Sequence, residues 1–89
     1  MKQDRWNTFL KREQLLFIGS EFERARVWQS EDQENFIRAL EQALALIDLT
    51  VEDPKWKNNM LQLLTLRAEV AQFYTGENKK EVSLLYAAL

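Results

Sequence analysis

The chain has 89 residues and a mass of 10.6 kDa, enough for one small domain. Hydrophobic residues make up 46% of it and charged residues 29%, a balance typical of a chain that buries a core. The sequence has no cysteine, no histidine and a formal net charge of −2. These counts exclude disulfides, thiolate zinc sites and imidazole catalysis, and they offer no basic field for nucleic acid or anionic lipid.

The composition favours helices. Two glycines and one proline are few for a chain built on β-turns, and good helix-forming residues dominate. The first predicted helix covers residues 4–29 and contains Gly19, although a glycine inside a helix costs about 1 kcal/mol relative to alanine. Two alternatives are open: the helix breaks at Gly19, or another helix crosses there too closely to leave room for a side chain.

The second predicted helix begins at a capping box formed by Ser30 and Gln33. The apolar residues that follow at helical spacing on one face are Phe36, Ile37, Leu40, Ala43, Leu44, Ile47 and Val51. The helix ends before Asp53 and Pro54, which are an N-cap and a proline at the first helical position. A third helix is therefore expected to begin there.

The third predicted helix ends at Gly76, a glycine at the C′ position. Its apolar face carries Trp56, Met60, Leu63, Leu64, Ala71 and Tyr74. Asn78 and Glu81 then predict a weak cap for a short last helix. Because connections of a few residues make successive helices antiparallel neighbours, the predicted fold is all-α: one domain over residues 1–89, an antiparallel up-down bundle of three long helices and a short C-terminal helix.

Three charged residues fall on predicted apolar faces. Glu13 and Arg24 lie on the aromatic face of the first helix, and Arg67 lies at the centre of the apolar face of the third. The aromatic face carries Trp6, Phe9, Leu10, Leu16, Phe17, Val27 and Trp28. Because an unpaired charge is costly to bury, we expect a cluster that joins Arg67 to Glu13, or to Glu21 with Arg24 close by. This cluster either fixes helix register or lines a small polar pocket for an anionic ligand or a partner's carboxylate.

The first helix has a second apolar strip that points away from the aromatic face. It consists of Leu15, Ile18, Phe22 and Ala25. A helix with two apolar faces is either central in its own bundle or shared with another subunit. We expect a homodimer with this strip as its interface; the alternative is a monomer in which the short last helix covers the strip.

Carboxylates supply the one pattern that could support catalysis. Glu31 and Glu34 form an E-x-x-E pair, but the second pair that all-helical Mg²⁺ pyrophosphohydrolases use is incomplete, because position 45 is alanine. A solvated acidic helix, with Arg38 pairing to Glu34 and Glu41, accounts for the same residues. We predict no catalytic residue, no metal ligand and no cofactor.

Short motifs over most of the chain carry a resemblance to known proteins. They are Arg5-Trp6-Asn7, Glu13-Gln14-Leu15, Ile18-Gly19-Ser20-Glu21, Arg24-Ala25, Ala39-Leu40-Glu41, Asp48-Leu49-Thr50, Leu66-Arg67 and Gly76. The pattern resembles a group of small uncharacterised bacterial all-helical proteins, which implies a helical fold and a bacterial source but no activity. Residues 36–54 and 71–89 are also similar to tetratricopeptide-repeat helices, although no period of roughly 34 residues recurs.

The ends and apolar runs of the sequence predict a cytoplasmic protein. Residues 1–12 lack the apolar stretch of a signal peptide, and no segment approaches the roughly 18 apolar residues of a membrane span. We expect a non-enzymatic helical protein–protein interaction module that self-associates through its first helix. The alternatives are a nucleic-acid-associated accessory protein, against which the acidic charge argues, and a carboxylate–Mg²⁺ hydrolase.

Overall fold

Helices form along nearly the whole chain, as the composition predicts. The computed structural model describes residues 1–89 and contains no strand. The α-helices are α1 (Gln3–Asn7), α2 (Lys11–Trp28), α3 (Gln33–Val51) and α4 (Met60–Thr75), and two 3₁₀-helices cover Pro54–Asn59 and Val82–Ala88. α3 packs against both α2 and α4, and the second 3₁₀-helix also packs against α2 and α4. None of the helices combines the length and apolar character that crossing a bilayer requires.

The first predicted helix is two helices, and the break lies at residues 8–10 and not at Gly19. The Thr8 hydroxyl donates to the carbonyl of Arg5 at 2.6 Å and closes α1. Leu10 is extended, and its backbone N–H donates to the Glu13 carboxylate at 2.8 Å, which starts α2. Glu13 therefore caps a helix, a role that the sequence obscures because leucine is not a usual N-cap residue.

α2 continues without interruption through Gly19, where a close approach does occur. A Cβ atom at this position would lie 3.3 Å from Cδ1 of Leu89. The close neighbour is thus the segment after the second 3₁₀-helix and not a crossing long helix.

The predicted capping box at the start of α3 is wrong by two residues. The N-cap is Asp32, whose Oδ1 accepts from the backbone N–H of Asn35 at 3.2 Å. Ser30 lies exposed in the turn that follows α2, where the backbone N–H groups of Glu31 and Asp32 both donate to the carbonyl of Trp28. The apolar face of α3 is confirmed, with its central residues Phe36, Leu40, Ala43 and Ile47 buried.

The local signals around α4 are confirmed, but its buried face is not the predicted one. Asp53 caps a helix with Pro54 in the first turn, and Gly76 ends α4 in the left-handed region at φ 84°. The helix after Pro54 is a 3₁₀-helix, however, so α-helical periodicity does not apply until Met60. The buried residues of α4 are Leu63, Leu66, Val70 and Phe73, whereas the predicted core residues Leu64 and Tyr74 are exposed. The observed face contains no charged residue.

The second 3₁₀-helix is held against α2 by side chains near the end of α2. The Gln29 amide donates to the carbonyl of Lys80 at 2.7 Å and accepts from the backbone N–H of Val82 at 2.8 Å. The Tyr86 hydroxyl donates to Glu23, which also pairs with Arg26. Hydrogen bonds from Arg26 and then Tyr86 lower the pKa of Glu23 from 4.5 to about 2. These contacts hold the second 3₁₀-helix in place, so that its residues Val82 and Leu85 are buried against α2.

A buried hydrogen-bond network centred on Gln14 joins four elements. The Gln14 amide nitrogen donates to the carbonyl of Trp6 at 2.9 Å and to the Asp53 carboxylate at 2.8 Å. Its oxygen accepts from the indole N–H of Trp56 at 2.6 Å, and the indole N–H of Trp6 donates to the Thr50 hydroxyl at 3.1 Å. Gln14, Thr50, Asp53 and both indoles are buried. The network therefore fixes α1, α2, the end of α3 and the first 3₁₀-helix relative to one another.

Asp53 is the charged member of this network. Burial favours its neutral form, but hydrogen bonds from the side chain of Lys55, from Gln14 and from the backbone N–H of Lys55 outweigh burial and lower the pKa of the Asp53 carboxyl. Lys55 also donates to the carbonyl of Asn7 at 3.0 Å, so the same ammonium group ties α1 to the first 3₁₀-helix.

Replacing Gln14 with leucine is expected to lower the free energy of unfolding by about 2–4 kcal/mol, because buried partners lose their hydrogen bonds. Urea denaturation followed by circular dichroism measures the change. Gln72→Leu is the matched control, since Gln72 is exposed and its side chain makes no hydrogen bond. Equal effects of the two substitutions would contradict a structural role for the network.

The depressed pKa of Asp53 predicts a pH dependence that Asp53→Asn should lack. A carboxyl with a lowered pKa stabilises the folded state above its ordinary value, here 3.8, and loses that contribution as the pH falls through the folded-state pKa. Wild type should exceed Asp53→Asn in stability at neutral pH, and the difference should shrink below pH 3.8. Denaturation of both proteins over a pH series tests this. Glu23 also has a lowered pKa, but its contribution is the same in both proteins and cancels in the difference between them. A difference in stability that does not change with pH would show that the charge of Asp53 contributes nothing.

Candidate functional site

Of the four charged residues expected to form one cluster, Glu21 and Arg24 lie together, whereas Glu13 and Arg67 lie apart from them and from each other. Arg24 pairs with Glu21 at 3.2 Å, one turn away on α2. Arg67 instead donates from Nε to Oδ1 of Asp48 at 2.6 Å, across to α3. Glu13 caps α2 at its start. The expected link from Arg67 to Glu13 or Glu21 is therefore wrong, because the buried face of α4 is turned by about one residue and carries Arg67 to the edge beside α3.

The strip expected to be a dimer interface belongs to the core of the chain. Ile18, Phe22 and Ala25 have no exposed surface, and Leu15 is half-buried. α3 and the second 3₁₀-helix are the elements packed against α2. The prediction that this strip binds a second subunit is wrong, because other elements of the same chain bury it.

The opposite side of α2 is the one left uncovered, and we call it the outer face. It carries Leu10, Glu13, Leu16, Phe17, Ser20, Arg24 and Val27. The exposed fractions are 70% for Leu16, 40% for Phe17 and 47% for Val27. The sequence pattern predicts that these apolar residues lie in the core and that the strip of Leu15, Ile18, Phe22 and Ala25 is the exposed interface. The structure shows the opposite arrangement.

The Phe17 ring packs against two other aromatic rings on the side that faces the core. Its ring centroid lies 5.0 Å from that of Phe9 and 5.9 Å from that of Trp6, which is itself buried. Beside Phe17 is a groove of about 260 Å³ lined by Glu13, Leu16, Phe17 and Ser20. The outer face therefore presents a supported aromatic ring next to a shallow groove.

A polar pocket of about 410 Å³ lies between α2 and α3. Its lining residues are Glu21, Arg24, Trp28, Asn35, Arg38, Ala39 and Gln42. Glu21 is buried, and its Oε2 has no hydrogen-bond partner. Arg38 is held by Glu34 at 2.6 Å and does not pair with Glu41, which accepts from the Tyr74 hydroxyl at 3.4 Å. The pocket thus contains one buried carboxylate with an unused oxygen.

The structure contains no group of three or more acidic residues that could hold a metal ion. Comparisons with known protein families, with curated proteins and with solved structures found no match. Function is therefore inferred from the residues and contacts of this chain alone.

Sequence reasoning missed Gln14, Thr50, Asp53 and Lys55 as buried or pairing residues. A signal for Gln14 was present, since Gln14, Ile18, Phe22 and Ala25 follow one another at helical spacing along one side of α2. No local signal pointed to Thr50, which is buried because the indole of Trp6 reaches it from another helix.

Glu21→Met is expected to raise the free energy of unfolding by about 1 kcal/mol, since a buried polar atom without a partner costs about 1–3 kcal/mol. Arg24→Met should instead lower it, because Glu21 would then lose its one ion pair. Urea denaturation at low protein concentration measures both. A loss of stability in Glu21→Met would show that the carboxylate serves the fold.

Proposed function

We propose that the protein is a non-enzymatic helical protein–protein interaction module that self-associates, and that the outer face of α2 is its contact surface. The observation that carries the proposal is the pair of exposed residues Leu16 and Phe17, beside their groove, on a helix whose other side packs into the core. Burying these exposed apolar side chains against a partner removes them from water, which favours association.

The position of the face in the fold supports this use. α2, α3 and α4 are joined by short segments and pack in chain order, which supports an antiparallel up-down bundle with α2 on its outside. The second 3₁₀-helix occupies the inner side of α2 through Val82 and Leu85. The outer face is left as the apolar side of α2 that a partner can reach.

Other exposed leucines provide a comparison. Leu61, with an exposed fraction of 80%, and Leu64 lie on α4, and Leu84 lies on the second 3₁₀-helix. Isolated exposed apolar residues are ordinary on protein surfaces. Leu84 lines a groove together with Phe73, whereas Leu61 and Leu64 line none. The exposed residues on α2 differ from Leu61 and Leu64 because a groove and packed aromatic rings lie beside them. Leu61 and Leu64 therefore serve as a matched control surface.

The wild-type protein is expected to show an average mass that rises with concentration from 10.6 kDa toward twice that value in size-exclusion chromatography with light scattering. A variant with both Leu16→Lys and Val27→Lys should stay monomeric, because these substitutions place charge in the contact without touching the core. Circular dichroism would confirm that it folds.

The control variant carries Leu61→Lys and Leu64→Lys on α4 and should self-associate like the wild type. A wild-type protein that stays monomeric at every concentration would contradict self-association. Loss of association in the α4 variant alone would move the contact surface to α4.

A further inference from the structure

Six residues of the outer face follow a regular spacing. Leu10, Glu13, Phe17, Ser20, Arg24 and Val27 are separated by alternating steps of three and four residues. This alternation lines residues along one side of a helix and is the spacing of the contact seam in a two-helix coiled coil. None of the six belongs to the buried core, and Leu10, at the start of the row, has an exposed fraction of 54%.

The side chains of this row are complementary to those of a second copy of the row that runs in the opposite direction. The first and last residues, Leu10 and Val27, are both apolar. The second residue, Glu13, and the fifth, Arg24, carry opposite charges. In the middle, a large aromatic residue is followed three positions later by a small serine. When two copies of the row meet across a two-fold axis, the first residue faces the sixth residue of the other copy, the second faces the fifth and the third faces the fourth. Each of these pairs is matched in polarity, charge or size.

We propose that α2 pairs with α2 of a second copy of this chain in antiparallel orientation, about a two-fold axis that crosses the outer face between Phe17 and Ser20. This inference rests on the proposed function and specifies its partner and register. Leu10 then faces the partner's Val27, and Glu13 faces the partner's Arg24. Phe17 enters the partner's groove beside Ser20, where the small side chain leaves room for a ring.

The charged residues have free hydrogen-bonding groups for this contact. Glu13 uses Oε1 to cap α2, which leaves Oε2 available. Arg24 uses NH1 toward Glu21 and is otherwise exposed. Each of the two symmetry-related contacts therefore forms an ion pair without giving up one that the single chain makes.

A parallel arrangement of the same row is unfavourable. It would set Glu13 against Glu13 and Arg24 against Arg24, and like charges across a contact are repulsive. It would also place the two Phe17 rings together and leave space between the two serines. Charge and size therefore both select the antiparallel orientation.

Charge reversal provides the first test. Glu13→Arg and Arg24→Glu, each alone, are expected to raise the dimer dissociation constant by at least about tenfold, because each creates two like-charge contacts. An equimolar mixture of the two variants should associate as a heterodimer with near wild-type affinity, since both contacts again join opposite charges: one ion pair is reversed and the other keeps its wild-type residues. Analytical ultracentrifugation measures these constants, and recovery in the mixture shows that each variant is folded.

Cysteine cross-linking tests the register directly, because the chain has no cysteine of its own. A mixture of Leu10→Cys and Val27→Cys should form a mixed disulfide under mild oxidation, and neither variant alone should cross-link to itself. Self-cross-linking of Val27→Cys, or no recovery in the charge-reversal mixture while the wild type self-associates, would overturn the register and leave the proposed function in place. A monomeric wild type would overturn both.

Discussion

The hydrogen bonds of the buried Gln14 amide are the constraint on which the rest of the structure depends. They join the backbone of α1, the carboxylate of Asp53 and the indole of Trp56 through one side chain. Because a buried polar group without a partner is costly, Gln14 must face these groups, and this requirement sets the rotation of α2 about its own axis. Once Gln14 points inward, Ile18 and Phe22, one and two turns further along, must point inward as well. The outer face then has to point away from the chain.

This constraint also explains which parts of the structure the sequence could predict. The N-cap at Asp53, the stop at Gly76 and the apolar face of α3 depend on chemistry within a few residues, and all three are confirmed. The choice between two apolar faces of α2 depends on Gln14 and its distant partners, which local spacing does not show. The aromatic residues made the wrong face look like the core, since aromatic side chains are usually buried.

The placement of charge on α2 and α4 follows from the same physics. With the faces of both helices set by the core, Arg24 and Arg67 reach solvent and pair with Glu21 and Asp48. Neither has to be buried, so the joint cluster that the sequence suggested is unnecessary. Glu21 is the exception, because it stays buried with one oxygen unpaired. The charged residues of the candidate surface could be named from the sequence, but their partners could not, because those lie across turns and helices whose rotation the sequence leaves open.

The central functional claim for this chain is that the outer face of α2, where Phe17 packs on Phe9 and Trp6, binds the same face of a second copy in antiparallel orientation. The most direct measurement is a dilution series of the isotope-labelled protein followed by the backbone amide signals in NMR. The account predicts that the signals of Phe17, Ser20 and Arg24 shift with concentration, whereas those around Leu61 on α4 stay in place. Signals that do not change at any concentration, or shifts confined to α4, would contradict it.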